Sequence, residues 1–289
     1  MQEIVEINPD YIDKALKRIS KYLRNTPILE SSLLNSWLGH EVVFKAELFQ
    51  KTGAFKARGA LNALLKLKEE GKLPKKVVAY SSGNHAQGVA WACREMKIPC
   101  TIYLPKNVSP IKVRATAAYG AEVVQTSNRI EAERIANEEV AKGAVLLPPF
   151  DDDDIIEGQG TCALEVFNEW VKPDAVFVPC GGGGLTAGTF LATKLKSPET
   201  KVFAVEPELA NDAKRSYESG SIYRFSEAPN TIADGTRTLA LSERTFHYLK
   251  KIAGVYDVTE DEIIYWSQWI NHLLKVTCEP SSAQAMAAG

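Results

Sequence analysis

Short apolar runs alternate with helical segments along most of this 289-residue chain. The runs Val77-Val78-Ala79-Tyr80 and Ala175 to Val178 are typical of strands that are buried on both faces. Each is followed by a loop and then by a helical pattern, through Trp91 in one case and from Leu185 to Leu195 in the other. Strands and helices that alternate in this way form parallel sheets. We therefore predict an α/β protein with two open, mostly parallel, twisted sheets that carry helices on both faces.

Two adjacent prolines, Pro148 and Pro149, separate two sets of these elements. We predict that the chain crosses between domains there. A small α/β domain of residues 75–148 is then inserted into a larger domain made of residues 1–70 and 151–289. Ligands of open parallel sheets bind at the carboxyl ends of the strands, so functional groups are expected in the loops that follow strands.

Composition and charge argue against several classes of protein. The 34 basic and 36 acidic residues nearly balance, which argues against an electrostatic nucleic-acid binder. Residues 175–193 carry no charge, but Pro179 and four glycines favour a buried strand, loop and helix over a membrane span. The five cysteines are odd in number and irregularly spaced, as in reduced cytoplasmic proteins, and the N-terminus shows no secretory signal. We predict a cytoplasmic protein that binds neither nucleic acid nor membrane.

Lys56 follows a glycine turn and Phe55, at the predicted start of a helix. The helix dipole disfavours a cation at this position. Together with an apolar neighbour, it lowers the lysine pKa and favours a neutral amine that can attack a carbonyl. Most single lysines are solvated surface residues, so that alternative stays open.

Two further loops carry small residues that suit anions. Residues 81–88 read Ser-Ser-Gly-Asn-His-Ala-Gln-Gly, where Ser82 or Asn84 caps a helix in the simpler interpretation. In the functional interpretation, the backbone N–H groups bind a carboxylate at the helix N-terminus. The second loop places four glycines, 181–184, between an apolar strand and an apolar helix. Successive N–H groups there suit a phosphate, although neither a Walker loop nor a dinucleotide fingerprint is present.

In this order, these segments make the chain resemble the fold-type II family of pyridoxal-phosphate enzymes, whose fold is that of the tryptophan synthase β-subunit. The resemblance spans nearly the whole chain and is closest to the serine racemase and serine/threonine dehydratase branch. The segments that carry it are Lys51 to Ala63, Ser81 to Gln87, Gly158 to Thr161, Gly181 to Gly184, Val205-Glu206-Pro207, Thr231 to Gly235 and Glu279-Pro280.

The resemblance implies a role for each matching residue. Lys56 matches the lysine that binds the aldehyde of pyridoxal phosphate covalently, and Phe55 lies near the ring. Asn84 matches the residue bonded to the 3-oxygen, and Gly181, Gly182, Gly183 and Gly184 match the phosphate loop. The substrate carboxylate is implied to bind the loop of Ser81, Ser82, Gly83, Asn84 and His85, with Gly235 on the opposite side of the pocket.

The resemblance also implies the reaction. A hydroxy amino acid (serine, threonine or 3-hydroxyaspartate) loses its hydroxyl group and is converted to a 2-oxo acid and ammonia. Residues 148–152, Pro-Pro-Phe-Asp-Asp, look like a segment of threonine dehydratases. Ser82 matches the second acid–base group of serine racemases, so racemisation is an alternative. β-Replacement is a third possibility, against which residues 232–235 argue.

A divalent cation, Mg²⁺ or Ca²⁺, is implied at Glu206, the carbonyl of Ala210 and Asp212, which are all oxygen ligands. Without the resemblance, both carboxylates are better interpreted as solvated. A homodimer is implied by the family alone.

Ala54 stands where a serine is frequent in the family. The chain stops at Gly289, before the segment that supplies a Ser or Thr to the pyridine nitrogen, so we expect a truncated C-terminus. A cofactor-binding form without turnover is the corresponding alternative.

Overall fold

The structure is a computed structural model that describes residues 4–169 and 172–289. The helices are α1 (Asp10–Ile19), α2 (Ser32–Leu38), α3 (Lys56–Glu69), α4 (Asn84–Met96), α5 (Pro110–Ala118), α6 (Arg129–Ala141), α7 (Asp153–Glu169), α8 (Gly184–Lys196), α9 (Asp212–Ser219), α10 (Glu243–Leu249), α11 (Glu260–Leu274) and α12 (Pro280–Ala288). The strands are β1 (Ile28–Glu30), β2 (Val43–Lys45), β3 (Val77–Tyr80), β4 (Cys100–Pro105), β5 (Glu122–Thr126), β6 (Val145–Leu146), β7 (Ala175–Pro179), β8 (Lys201–Pro207) and β9 (Gly254–Val258).

Contacts between Cα atoms divide the chain into two compact units. The first unit comprises the described residues of Met1–Asp13, Thr26–Ala46 and Gly160–Gly289, and the second comprises Lys14–Asn25 and Glu47–Gln159. Residues 47–70, which we predicted in the larger domain, group with the second unit, because α3 packs against α4 in one hydrophobic core.

The second unit contains a four-stranded parallel sheet in the order β5-β4-β3-β6. Val77 and Ile102 point to one face and share a core with side chains of α3 and α4. Val78 and Tyr103, one residue further along each strand, point to the other face and pack with alanines of α6. Because successive side chains of a strand alternate between faces, this sheet is covered by helices on both sides, as predicted.

Strand β6 is short for a reason that lies in its sequence. The Leu147 N–H still donates to Val78 O at 3.1 Å, but Pro148 and Pro149 follow and have no N–H. Proline cannot continue a ladder of hydrogen bonds, so the sheet ends there. The carbonyl groups that follow β6 can therefore accept hydrogen bonds from donors outside the sheet.

The first unit contains a parallel sheet in the order β7-β8-β9 and a separate antiparallel pair, β1 and β2. Helix α8 follows β7, and a 3-10 turn (Glu208–Ala210) with α9 follows β8. The carboxyl ends of β7 and β8 are therefore next to helix starts, where parallel sheets bind ligands.

All five cysteines are free thiols, and four of them are buried. In the part of the chain that the structure describes, no helix combines the length and the apolar character needed to cross a membrane.

Candidate active site

Lys56 is the first residue of α3, in the second unit. Its Nζ donates a hydrogen bond to the Pro149 carbonyl at 2.7 Å and lies 5.1 Å from the centroid of the Phe55 ring. The side chain is only partly exposed, and burial lowers the pKa of the amine to about 8. The predicted direction of the pKa shift is confirmed, with burial as its cause. The alternative of a freely solvated lysine is wrong, because the amine is bound to a backbone carbonyl.

Helix α4 begins at Asn84, directly after the serine loop. Its N-cap residue is Gly83, and no side chain caps the helix, so neither Ser82 nor Asn84 has the capping role of the simpler interpretation. Ser81 Oγ instead accepts the N–H of Gly83 at 3.3 Å, and Ser82 is exposed. The first N–H groups of a helix have no partner within it, so the start of α4 can bind an anion.

Four other helices have side-chain caps, whereas α3, α5, α9 and α12 lack one, as α4 does. The capping residues are Ser31, Asn128, Ser242 and Thr259, at α2, α6, α10 and α11. Each accepts a backbone N–H that would otherwise need another partner. Gly83 has no side chain that could accept such an N–H at the start of α4.

His85 is buried in the first turn of α4, with 3% of its surface exposed. Its Nε2 lies 2.9 Å from the Leu147 carbonyl, which can only accept, so Nε2 carries the proton and donates. Burial, together with the charge of Lys56, lowers the pKa of the imidazole to about 3. The ring is therefore neutral. Its buried Nδ1 has no hydrogen-bond partner among the described residues.

Helices α3 and α4 approach closely beside Lys56. A Cβ on Gly88 would lie 3.0 Å from the Lys56 carbonyl carbon, so only glycine allows this contact. His85 was predicted in the loop that binds the substrate carboxylate, but neither its hydrogen bond to Leu147 nor the contact of Gly88 with Lys56 was predicted. Their contacts depend on tertiary packing.

The glycine run joins β7 to α8 in the first unit, and Gly182, Gly183 and Gly184 are buried. Gly183 has φ +84°, and a Cβ there would lie 2.9 Å from Thr245 Cβ, so both backbone conformation and packing require glycine. It is the N-cap of α8 and offers no side-chain cap. The uncapped N–H groups at the end of a parallel strand fit the phosphate of the implied cofactor.

Gly181 lies against the backbone of Thr236, where an added Cβ would be 3.0 Å from the Thr236 Cα. The glycine run and the segment of Gly235 are therefore neighbours within the first unit. The Gly235 N–H donates to Ser281 Oγ at 2.8 Å, at the start of α12. Sequence analysis did not identify Ser281.

The two predicted acidic metal ligands are both buried, and Glu206 lies near the end of β8, before the 3-10 turn that ends at Ala210. The Glu206 carboxylate accepts the N–H groups of Ala213 and Lys214 at 3.1 and 2.9 Å. Burial, followed by the charge of Asp212, raises the pKa of Glu206. The expectation of solvated carboxylates is therefore wrong.

Asp212 begins α9, and burial raises its pKa to about 7. Its Oδ1 accepts from Thr238 at 3.4 Å, whereas its buried Oδ2 has no hydrogen-bond partner among the described residues. Within residues 4–169 and 172–289, no three His, Cys, Asp or Glu side chains form a metal cluster. A cation here would need carbonyl or water ligands besides the two carboxylates. Mg²⁺ and Ca²⁺ take such oxygen ligands, and the buried Oδ2 of Asp212 could be one of them, so these residues fit the cation that the family implies.

The chain is similar to known proteins over most of its length. The profile of the family described as pyridoxal-phosphate dependent enzyme matches residues 19–289. The L-threo-3-hydroxyaspartate ammonia-lyase of Saccharomyces cerevisiae is 42% identical over 98% of this chain and 87% of its own length. The serine racemase of Dictyostelium discoideum is 40% identical over 100% of this chain and 90% of its own length. The crystal structure of a threonine deaminase from T.th. superposes with a TM-score of 0.91 at 42% identity, covering 96% of this chain and 91% of that one.

Proposed function

Because this chain belongs to the pyridoxal-phosphate dependent enzyme family, we propose that it removes water from a hydroxy amino acid by β-elimination, and that the product then hydrolyses to a 2-oxo acid and ammonia. It is a pyridoxal-phosphate enzyme with the α/β fold of type II. The observation that carries the proposal is the partly buried Lys56, whose amine has a pKa of about 8. Relatives named for 3-hydroxyaspartate, threonine and serine support one of these three amino acids as the substrate.

When bound, pyridoxal phosphate supplies an electron sink for the α-carbon of an amino acid. The neutral amine of Lys56 takes the α-proton, which its lowered pKa favours near neutral pH. The N–H groups at the starts of α4 and α8 bind the substrate carboxylate and the cofactor phosphate, respectively. The β-hydroxyl leaves as water with the proton that Lys56 took, the resulting enamine becomes an imine, and a second water hydrolyses the imine to the 2-oxo acid and ammonia.

Racemisation is the second candidate function. Ser82 is exposed in the loop before α4, where its hydroxyl can hold a proton for the second face of the α-carbon. The relative from Dictyostelium discoideum is named a serine racemase. Ser82 would need activation by the site, because a hydroxyl group has a high pKa.

The metal site and the homodimer are proposed from the resemblance, whereas the cytoplasmic location is proposed from the cysteine pattern. We propose that Glu206, the carbonyl of Ala210 and Asp212 hold Mg²⁺ or Ca²⁺ in a structural role. The unpaired buried oxygen of Asp212 supports this site. The homodimer and the cytoplasmic location remain predictions.

Replacing Lys56 with alanine tests the enzyme. We expect Lys56→Ala to lose both the yellow absorbance of the covalently bound cofactor and the production of 2-oxo acid, because no amine remains to bind the aldehyde or take the proton. Lys51→Ala, which removes an exposed lysine five residues earlier, is the matched control and should retain both. A Lys56→Ala protein that forms 2-oxo acid at the wild-type rate would refute the role of Lys56.

The substrate is identified by incubating the protein with L-serine, L-threonine and 3-hydroxyaspartate, then measuring ammonia and the chirality of the remaining amino acid. Ammonia release supports the lyase, and inversion without ammonia supports the racemase. Bound cofactor with neither product would contradict both.

A further inference from the structure

Residues 147–149, here called the proline segment, follow β6, and two of the three residues have a carbonyl but no N–H. Pro148 and Pro149 have fixed φ angles and no N–H. Leu147 and Pro148 each precede a proline, which disfavours the helical region for both. The directions of the carbonyls in this segment are therefore restricted by its own sequence.

Two side chains donate to these carbonyls, and both come from helix starts in the second unit. His85 Nε2 donates to Leu147 O at 2.9 Å, from the first turn of α4. Lys56 Nζ donates to Pro149 O at 2.7 Å, from the first residue of α3. If another residue replaced either proline, its backbone N–H could donate a hydrogen bond to a different acceptor.

His85 is suited to hold the segment without disturbing the amine. Its ring is buried, and the charge of Lys56 contributes to the lowered pKa of the imidazole. A second cation beside an ammonium would be repelled, but the neutral ring donates a hydrogen bond and adds no charge. The contact of Gly88 with the Lys56 backbone fixes the two helix starts relative to each other.

We propose that the proline segment is a fixed acceptor for the ε-amino group of Lys56 whenever that group is not covalently bound, and that His85 is a positioning residue that holds the segment through Leu147. The inference rests on the proposed role of Lys56. The hydrogen bond to Pro149 stabilises the protonated amine and keeps Nζ at one position. A lysine that has just accepted a proton is thus retained at the site.

Competitive labelling of the cofactor-free full chain with acetic anhydride tests the inference. The modification of Lys56 is followed by mass spectrometry across pH, which gives the pKa of this amine without any turnover. We expect His85→Leu to lower that pKa by about 1 unit, because a bond of this kind changes the protonation equilibrium about tenfold. His85→Gln places an amide nitrogen close to the position of Nε2 and should restore the wild-type pKa.

Val89→Ala is the matched control, because Val89 is also fully buried in α4 and its loss weakens packing without removing the donor. We expect it to lower stability and leave the pKa of Lys56 unchanged. An unshifted pKa in His85→Leu would overturn the inference. So would a shift in His85→Gln or Val89→Ala equal to that in His85→Leu.

Nitrogen NMR of the wild-type histidines gives a second test if His85→Leu does not fold. We expect the proton of His85 on Nε2, none on Nδ1, and no titration near the ordinary histidine pKa of about 6.5. A proton on Nδ1, or titration in that range, would overturn the positioning role.

Neither the labelling test nor the NMR test requires turnover. Ammonia release with a failed labelling test would therefore contradict the positioning role alone, whereas a successful labelling test without any product would contradict the proposed function alone.

Discussion

The chemistry that we propose depends on one amine whose environment differs from that of an ordinary lysine. Lys56 combines a partly buried side chain, a carbonyl partner at 2.7 Å and a nearby aromatic ring. Burial disfavours the charged form, so the pKa falls to about 8. The same residue can therefore be neutral when it attacks and protonated after it has taken a proton.

This pKa makes a pH-dependent prediction for the cofactor-free protein. A lowered lysine pKa means that the neutral amine is lost as the pH falls through about 8. We expect the rate of covalent capture of pyridoxal phosphate to rise about tenfold per pH unit below that value and to level off above it. N-acetyl-lysine amide, measured in the same buffers, corrects for titration of the cofactor. A protein rate that rises in parallel with this free amine up to about pH 10 would contradict the prediction.

At the scale of elements, the starts of α4 and α8 are alike. Both follow parallel strands, both have glycine as the N-cap residue, and neither has a side-chain cap. A serine or aspartate would satisfy those N–H groups within the chain. Glycine provides no such side chain, which suits the carboxylate and phosphate that we propose to bind there, although it has greater chain entropy in the unfolded state.

Gly83→Asp tests the start of α4. The new carboxylate would compete with the substrate carboxylate for the same N–H groups, so we expect the KM of the amino acid to rise about tenfold or more. Steady-state kinetics of ammonia release measures this. Gly83→Ala is the control, because no atom lies within 4 Å of an added Cβ there and it brings no carboxylate. Equal KM values in the two variants would count against carboxylate binding at α4.

At the scale of the whole molecule, two buried carboxylates in the first unit oppose folding unless a cation offsets them. Burial raises the pKa of both carboxyl groups, and the charge of Asp212 raises the pKa of Glu206 further. A ligand that binds only the folded state stabilises it by mass action, about 2.7 kcal/mol at a hundredfold excess over its Kd.

Chelation should therefore lower the melting temperature of the wild-type chain, and Mg²⁺ or Ca²⁺ should restore it. We expect Asp212→Asn to melt at a temperature that chelator no longer changes, because one charged ligand is gone. Glu208→Gln changes the same charge at a neighbouring exposed residue and should keep the response to chelator. A wild-type melting curve that chelator leaves unaltered would count against this cation site.

Much of this could be predicted from the sequence, because the relevant signals are local. Runs such as Val77-Val78-Ala79-Tyr80 predicted the strands, and the alternation with helices predicted parallel sheets, both of which are confirmed. The glycine turn before Lys56 correctly placed that residue at the start of α3. The assignment of residues 47–70 to a unit depended on packing between α3 and α4, which sequence periodicity does not report.

Some features of the site follow directly from single residues: prolines 148 and 149 have no N–H to donate, and glycines 83 and 183 have no side chain to cap a helix. Those are properties of single residues and need no neighbours. The partners of these groups depend on the fold, because His85 and Lys56 donate to two carbonyls that lie 62 and 93 positions away along the chain. Such partners are set by how helices pack on a sheet, and packing brings together residues whose spacing in sequence carries no signal.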